Sequence, residues 1–179
     1  EFVFPPRKIE NTNATGNITR NDTMVNISIV TIDNIRNVSL NGTYLIESPG
    51  NVWWNVSNMS RYGCTEAVSC VLFFNITDKA DNSNTSESVT LTIDLTSPSI
   101  SEFKSNDTDN VTRADRLLNL TVTATDTNIL NVSINGTYLI QAGNNWWQTN
   151  LSSGFGCPAN GVCELNATAL DKAGNFRTA

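Results

Sequence analysis

The chain has 179 residues, 39% hydrophobic and 8% aromatic, with a formal net charge of −6 and no histidine. That apolar content builds real cores and excludes a disordered polymer, while the acidic balance lacks the basic footprint of a nucleic-acid binder. Without histidine the commonest general base and metal ligand is missing and no Ser/His/Asp set can form, so no catalytic residue is assigned and no enzyme is expected. No run approaches the roughly 18 apolar residues of a membrane span, so no membrane insertion is expected within this chain.

The chain opens on Glu1-Phe2-Val3-Phe4-Pro5, in which Phe2 and Phe4 alternate about Val3. Residues 1–5 read as a short strand, which Pro5 and Pro6 end. Sequons of the form Asn-X-Ser/Thr then crowd the sequence. Its 26 Asn and 38 Ser plus Thr would give about 5.5 by chance under that acceptor pattern, but it holds 17. They are Asn13, Asn17, Asn21, Asn26, Asn37, Asn41, Asn55, Asn58, Asn75, Asn84, Asn106, Asn110, Asn119, Asn131, Asn135, Asn150 and Asn166. A threefold excess points to covalent N-glycans and an extracellular location, on a cell surface or a shed filament. No other cofactor is expected.

An internal repeat of about 93 residues organises the rest. NVSLNGTYLI from Asn37 recurs as NVSINGTYLI from Asn131. Trp53–Trp54 recurs as Trp146–Trp147, and DKADN from Asp78 as DKAGN from Asp171. Within each copy, polar and apolar residues alternate between Asn-Gly, Ser-Pro and Gly-Asn turns, the pattern of strands. The first copy puts Val38 and Leu40 inward, with Asn37, Ser39 and Asn41 outward; its SVTLTID segment alternates Val89, Leu91 and Ile93 on a buried face. In the second copy Leu118, Leu120, Val122 and Ala124 share one face, while Asn119, Thr121, Thr123 and Thr125 share the other. Leu165, Ala167 and Ala169 point inward and Asn166 outward. The phase of Val56 and Leu151 puts Trp54 and Trp147 inside, with Trp53 and Trp146 outside. Short strands at regular turn spacing, with no helical stripe, predict a β-sandwich per copy.

Four cysteines fall as two C-x5-C pairs at equivalent positions. In an extracellular chain an even, duplicated count predicts Cys64–Cys70 and Cys157–Cys163 disulfides; a shared metal would need ligands that the repeat keeps a domain apart. Asp33, Asp78, Asp81, Asp126 and Asp171 lie near strand ends without a spaced calcium-loop motif, so no metal site is assigned.

NGTYL, the tryptophan strand, ALDKAGN and the closing SVTLTID strand resemble the immunoglobulin-like repeats found in tandem on bacterial and archaeal surface proteins. The resemblance implies an all-β chain of two tandem immunoglobulin-like β-sandwich domains, over residues 6–95 and 96–179. At the repeat offset, the counterpart of SVTLTID would begin near residue 180, so the second domain is expected to lack its final strand in cis. Residues 1–5 align with the tail of such a strand. Two readings follow. In the first, Phe2, Val3 and Phe4 form an inter-subunit strand that completes the second domain of another copy, as in pilin donor-strand complementation, giving a head-to-tail homopolymer and a filament. In the second, the residues belong to a longer array, an immunoglobulin-like stalk of an adhesin or S-layer protein, and following residues supply the strand.

Overall fold

The computed structural model describes residues 7–11, 14–20, 22–32, 34–64, 69–107, 112 and 116–179. The sequence-predicted donor residues Phe2, Val3 and Phe4, the sequons at Asn13, Asn21 and Asn110, and Asp33 lie outside the described residues. The chain divides into two compact units, with the boundary between Leu95 and Thr96.

Unit 1 contains β1 (Arg7–Asn11), β2 (Ile18–Thr19), β3 (Met24–Val30), β4 (Ile35–Leu40) and β5 (Thr43–Tyr44). It continues with β6 (Ile46–Ser48), β7 (Val52–Asn58), β8 (Ser69–Asp78), β9 (Ser83–Asn84) and β10 (Ser88–Ile93). One sheet runs β1-β3-β7-β6; the facing sheet runs β2-β10-β8-β4-β5, with β9 also on β8. Unit 2 repeats the plan with β11 (Ser99–Ser105), β12 (Leu117–Thr125), β13 (Ile129–Ile134) and β14 (Thr137–Tyr138). β15 (Ile140–Ala142), β16 (Asn145–Leu151), β17 (Ala167–Asp171) and β18 (Phe176–Thr178) follow. Its sheets run β11-β12-β16-β15 and β14-β13-β17-β18.

Period-two alternation builds each core. Val25, Ile27 and Ile29 of β3 face Val38 and Leu40 of β4 and Leu72, Phe74 and Ile76 of β8 in one buried cluster. Leu118, Leu120, Val122 and Ala124 of β12 do the same in unit 2 with Val132, Ile134, Ala167 and Ala169. Asn119 and Thr125 are exposed, and Thr121 and Thr123 half-buried, on the opposite face. Ser39 is buried, a departure from the outward position that alternation gives it.

The tryptophans sit in the phase opposite to the sequence expectation. Trp53 and Trp146 are buried in the cores, while Trp54 is half-buried and Trp147 exposed. The cause lies in β7: Val25, Ile27 and Ile29 pair with Ser57, Asn55 and Trp53, so two polar residues occupy its inner face and Val56 is the outward one.

The repeats differ instructively at two buried positions and in one turn. Trp53 donates its indole N–H to Thr31 Oγ1 at 3.1 Å. The counterpart of Thr31 in unit 2 is Ala124, and Trp146 Nε1 is buried with no partner among the described residues. Conversely, Tyr62 Oη is buried without a partner among those residues, where unit 2 carries Phe155. Burial pushes the Tyr62 phenol up, against the opposing pull of Arg61. Third, Asp78 and Asp171, both 1% exposed, organise the turn after β8 and β17. Asp78 Oδ1 accepts from Ala80 N–H at 2.8 Å and Asn82 N–H at 2.9 Å, and Oδ2 from Asn82 Nδ2 at 2.8 Å. Asp171 accepts from Asn175 N–H and Nδ2, each at 2.8 Å. The turn needs a left-handed residue, filled by Gly174 at φ 93° and by Asp81 at φ 68°. Asp81 uses its carboxylate to pair with Arg36.

Each repeat thus serves as a template for the other. Ala124→Thr, which supplies the missing acceptor, and Tyr62→Phe, which removes the orphan hydroxyl, should each stabilise their unit by about 1 kcal/mol. For domains of this size that is a rise of roughly 4–8 °C in thermal midpoint, measurable by calorimetry; a fall in either midpoint contradicts the assignment. The Asn82 amide, joined by the Asn82 and Ala80 N–H groups and by Arg36, holds the Asp78 carboxyl below the ordinary carboxylate value even though burial works in the opposite direction. A depressed folded pKa gives stability that is full above the unfolded value of about 3.9 and is lost as pH falls through the folded one. Asp78→Asn should therefore lower the midpoint at pH 7 and flatten its decline below about pH 4, as read from melts between neutral and acid pH.

Candidate strand-accepting groove

β10 is what unit 2 lacks among its described residues. In unit 1 it runs antiparallel on the first half of β8, from Ser88 opposite Phe73 to Thr92 opposite Ser69. It also runs parallel to β2, with Thr92 opposite Ile18 and Ile93 opposite Thr19. Its inward residues Val89, Leu91 and Ile93 are buried in the core. Full burial of an aliphatic side chain of this kind is worth roughly 1.5–3 kcal/mol, so three together outweigh any one of the unit's turns or caps.

In unit 2, β17 begins at Ala167, the counterpart of Phe74. Residues 162–166, the counterpart of the segment on which β10 rests, have no strand assignment. β18 reproduces the short β9: Leu170 faces Phe176 and Ala169 faces Arg177, as Thr77 faces Ser83 and Ile76 faces Asn84. No described strand of unit 2 follows it into the position of β10.

A cavity of about 610 Å³ occupies that position, lined by Phe103, Leu118, Leu165 and Val162 with both cysteines of the second pair. Leu118, Leu165, Cys157 and Cys163 are the counterparts of Val25, Leu72, Cys64 and Cys70, which surround β10 in unit 1. Phe103 stands opposite buried Val122, on the inner face of its sheet, yet it is 41% exposed among the described residues. Val162 is 90% exposed. Asp107 also lines the groove, with Oδ2 buried and unpartnered among the described residues and Oδ1 3.9 Å from Arg116 Nη1. The groove is thus a slot with apolar walls at Phe103, Leu118 and Leu165 and polar ones at Ser105, Asp107 and Thr112, beside a segment without strand assignment. What such a slot can do is accept an extended segment through main-chain hydrogen bonds and seat its alternate side chains.

The disulfides Cys64–Cys70 and Cys157–Cys163 are formed, with Cα–Cα separations of 5.7 and 5.2 Å. Each closes a short loop, worth about 2 kcal/mol in the chain-entropy model, and the second pins one wall of the groove. Of the sequon asparagines, Asn17, Asn41, Asn75, Asn106, Asn119, Asn135 and Asn166 are exposed. Asn26, Asn37, Asn55, Asn58, Asn84, Asn131 and Asn150 are half-buried. No described helix is long and apolar enough to cross a membrane. Phe103, Asp107 and Val162 were not singled out from sequence, although mapping the neighbours of β10 through the repeat offset reaches the groove's other walls.

No protein-family model matches the sequence, nor does the sequence of any curated protein. Among solved structures, the fold is similar to that of the fibronectin(III)-like modules of Clostridium thermocellum CbhA. The TM-score is 0.54 at 10% identity, covering 96% of this chain and 90% of that one. A chimeric titin Z1Z2-Z1Z2 tandem (11% identity, 98% and 96% covered, TM-score 0.34) is a looser likeness. So is the D00-D0 domain of intimin (10% identity, 86% of each chain covered, TM-score 0.31), and neither carries an argument. At 10% identity the first likeness speaks to fold alone: the chain is all-β, built of immunoglobulin- and fibronectin-III-like sandwiches.

Proposed function

We propose that the chain is a structural subunit of an extracellular, heavily N-glycosylated filament, assembled head to tail by β-strand donation. Residues 1–5 of one copy are the donor, through Phe2, Val3 and Phe4. The second domain, residues 96–179, of the next copy is the acceptor, so the partner is another copy of this chain. The observation that carries this reading is the groove, which has the position and much of the apolar lining of the seat that β10 fills in unit 1. The donor segment carries the alternation such a seat requires: two large apolar side chains separated by one residue. Donation joins copies through different surfaces on each, a heterologous contact that yields a filament when the rotation does not close. The excess of sequons and the two disulfides support an oxidising, extracellular setting. N-glycans then hydrate the surface and oppose lateral pairing of sheets.

A second reading, an immunoglobulin-like stalk segment of an adhesin or S-layer protein, is favoured by one observation: β10 completes its own unit in cis. In an array of that kind, the groove of unit 2 is filled by residues that follow it.

Electron microscopy of native material separates the two. Strand donation predicts fibres of uniform repeat that disappear when Phe2 and Phe4 are both replaced by Asp, with the melting of unit 1 unchanged and that of unit 2 lowered by loss of the donated strand. Fibres indifferent to the double substitution rule out this donor, and sheets or short stalks favour the second reading.

A further inference from the structure

Two sequons sit where a glycan and the fold compete for the same atoms. Asn41-Gly42 and Asn135-Gly136 form the tight turns between β4 and β5 and between β13 and β14. Their φ values are 45° and 82° in the first and 46° and 83° in the second, the pair of left-handed residues that a type I′ hairpin demands. As the backbone turns away, the next rung of the ladder to the neighbouring strand would be lost, and the asparagine side chain restores it. Asn135 N–H donates to the Asn166 carbonyl at 3.1 Å, and Asn166 N–H donates back to Asn135 Oδ1 at 3.0 Å. Asn41 makes the same exchange with Phe73, at 3.1 and 2.9 Å.

The nitrogen ends are engaged as well. Asn135 Nδ2 donates to the carbonyls of Phe155 at 3.0 Å and Glu164 at 2.9 Å, and Asn41 Nδ2 to that of Tyr62 at 3.0 Å. The hydroxyl of Thr137, third residue of its sequon, donates to the Gly154 carbonyl at 2.9 Å.

We infer that Asn135 remains unglycosylated in the folded protein, and that Asn41 and Asn135 act as side-chain caps of the β4–β8 and β13–β17 ladders. The inference rests on the N-glycosylation in the function proposed above and decides which sequons carry it. An amide nitrogen has two hydrogens, and a glycan replaces one of them with a carbon about 1.45 Å away. At Asn135 both are directed at carbonyl oxygens, so the sugar carbon would stand in the place of a hydrogen bond. Asn58 and Asn84 show the opposite arrangement. Asn58 Oδ1 accepts from Ser60 Oγ at 3.0 Å and Arg61 N–H at 3.2 Å. Asn84 Oδ1 accepts from Ser86 N–H and Oγ, each at 2.8 Å. There the sequon's own hydroxyl holds the oxygen, and Nδ2 makes no hydrogen bond among the described residues. The bare Asn135 also matters for the groove, because its amide grips residues 164–166, the edge beside which a donated strand would lie.

Peptide mass mapping of the native, disulfide-intact protein reads each site directly. Glycan mass is expected on the peptides of Asn58 and Asn84 and none on that of Asn135; occupancy at Asn135 overturns the inference. Thr137→Val abolishes that sequon yet keeps Asn135, and should leave the total glycan mass unchanged; a loss of one glycan overturns the inference equally. If no sequon is occupied, the glycosylation reading fails by itself, and the capping role is judged by melting. Asn135→Asp, which keeps the acceptor but loses both donors, should then lower the midpoint by several degrees while Asn84→Asp does not; equal midpoints overturn it.

Discussion

A two-sheet sandwich stands or falls on the strand that closes its second sheet. In unit 1 that strand is β10, which both ladders the first half of β8 and seals the core with Val89, Leu91 and Ile93. The consequence of its presence is measurable in its neighbours. Leu72 is fully buried beneath it, whereas the counterpart Leu165 is only half-buried. The segment Ser69–Phe73 is a strand with β10 alongside, and residues 162–166 are not. Among the described residues of unit 2, where no such ladder is seen, the partner segment has no strand assignment and Phe103 is exposed, as expected when the hydrogen bonds and the burial of a sheet are supplied by the same residues.

The duplication supplies an internal control that a single domain cannot. Backbone geometry is held nearly constant between the repeats while side chains vary, so each difference isolates one interaction. Thr31 against Ala124 isolates an indole hydrogen bond, Tyr62 against Phe155 isolates a buried hydroxyl, and Asp81 against Gly174 isolates a left-handed turn residue. Neither repeat is the better-satisfied one throughout, which is what independent drift after duplication produces when each loss is worth about 1 kcal/mol. The Asp78 and Asp171 carboxylates are retained in both. Each accepts from both the N–H and the side-chain amide of the asparagine four residues on.

Much of this architecture was legible in the sequence, and what was not has a physical reason. The strands Leu117–Thr125 and Ser88–Ile93 follow their alternation residue for residue because one face is wholly apolar. The tryptophan strand misleads because its inner face carries Asn55 and Ser57, so the outward Val56 set the wrong phase. A large indole fills a core from a strand that otherwise looks inverted. The walls of the groove were half visible: the repeat offset identifies Leu165 and the cysteines as neighbours of an absent strand. The inward position of Phe103 depends on the register shift of β11 between Ile100 and Glu102, which no pattern in the sequence records.

The density of asparagine itself has more than one cause, and separating the causes changes how the sequons are counted. Among the described residues, the non-glycine positions at positive φ are Asn17, Asn34, Asn41, Asn51 and Asn135, with Asp81 the one exception. Asparagine tolerates that region because its short amide can bond locally, so part of the asparagine content is demanded by turns whatever is attached to it. A further part replaces backbone rungs, as at Asn106, whose Oδ1 accepts from Asn119 N–H at 2.9 Å just as Asn135 does from Asn166. A sequon in a turn-rich β-protein is thus a chemical permission, and the side-chain geometry decides whether the nitrogen is available. Where the oxygen is held by the sequon's own hydroxyl, as at Asn58 and Asn84, the nitrogen makes no hydrogen bond among the described residues; at Asn135, where the amide substitutes for backbone, both of its hydrogens are engaged.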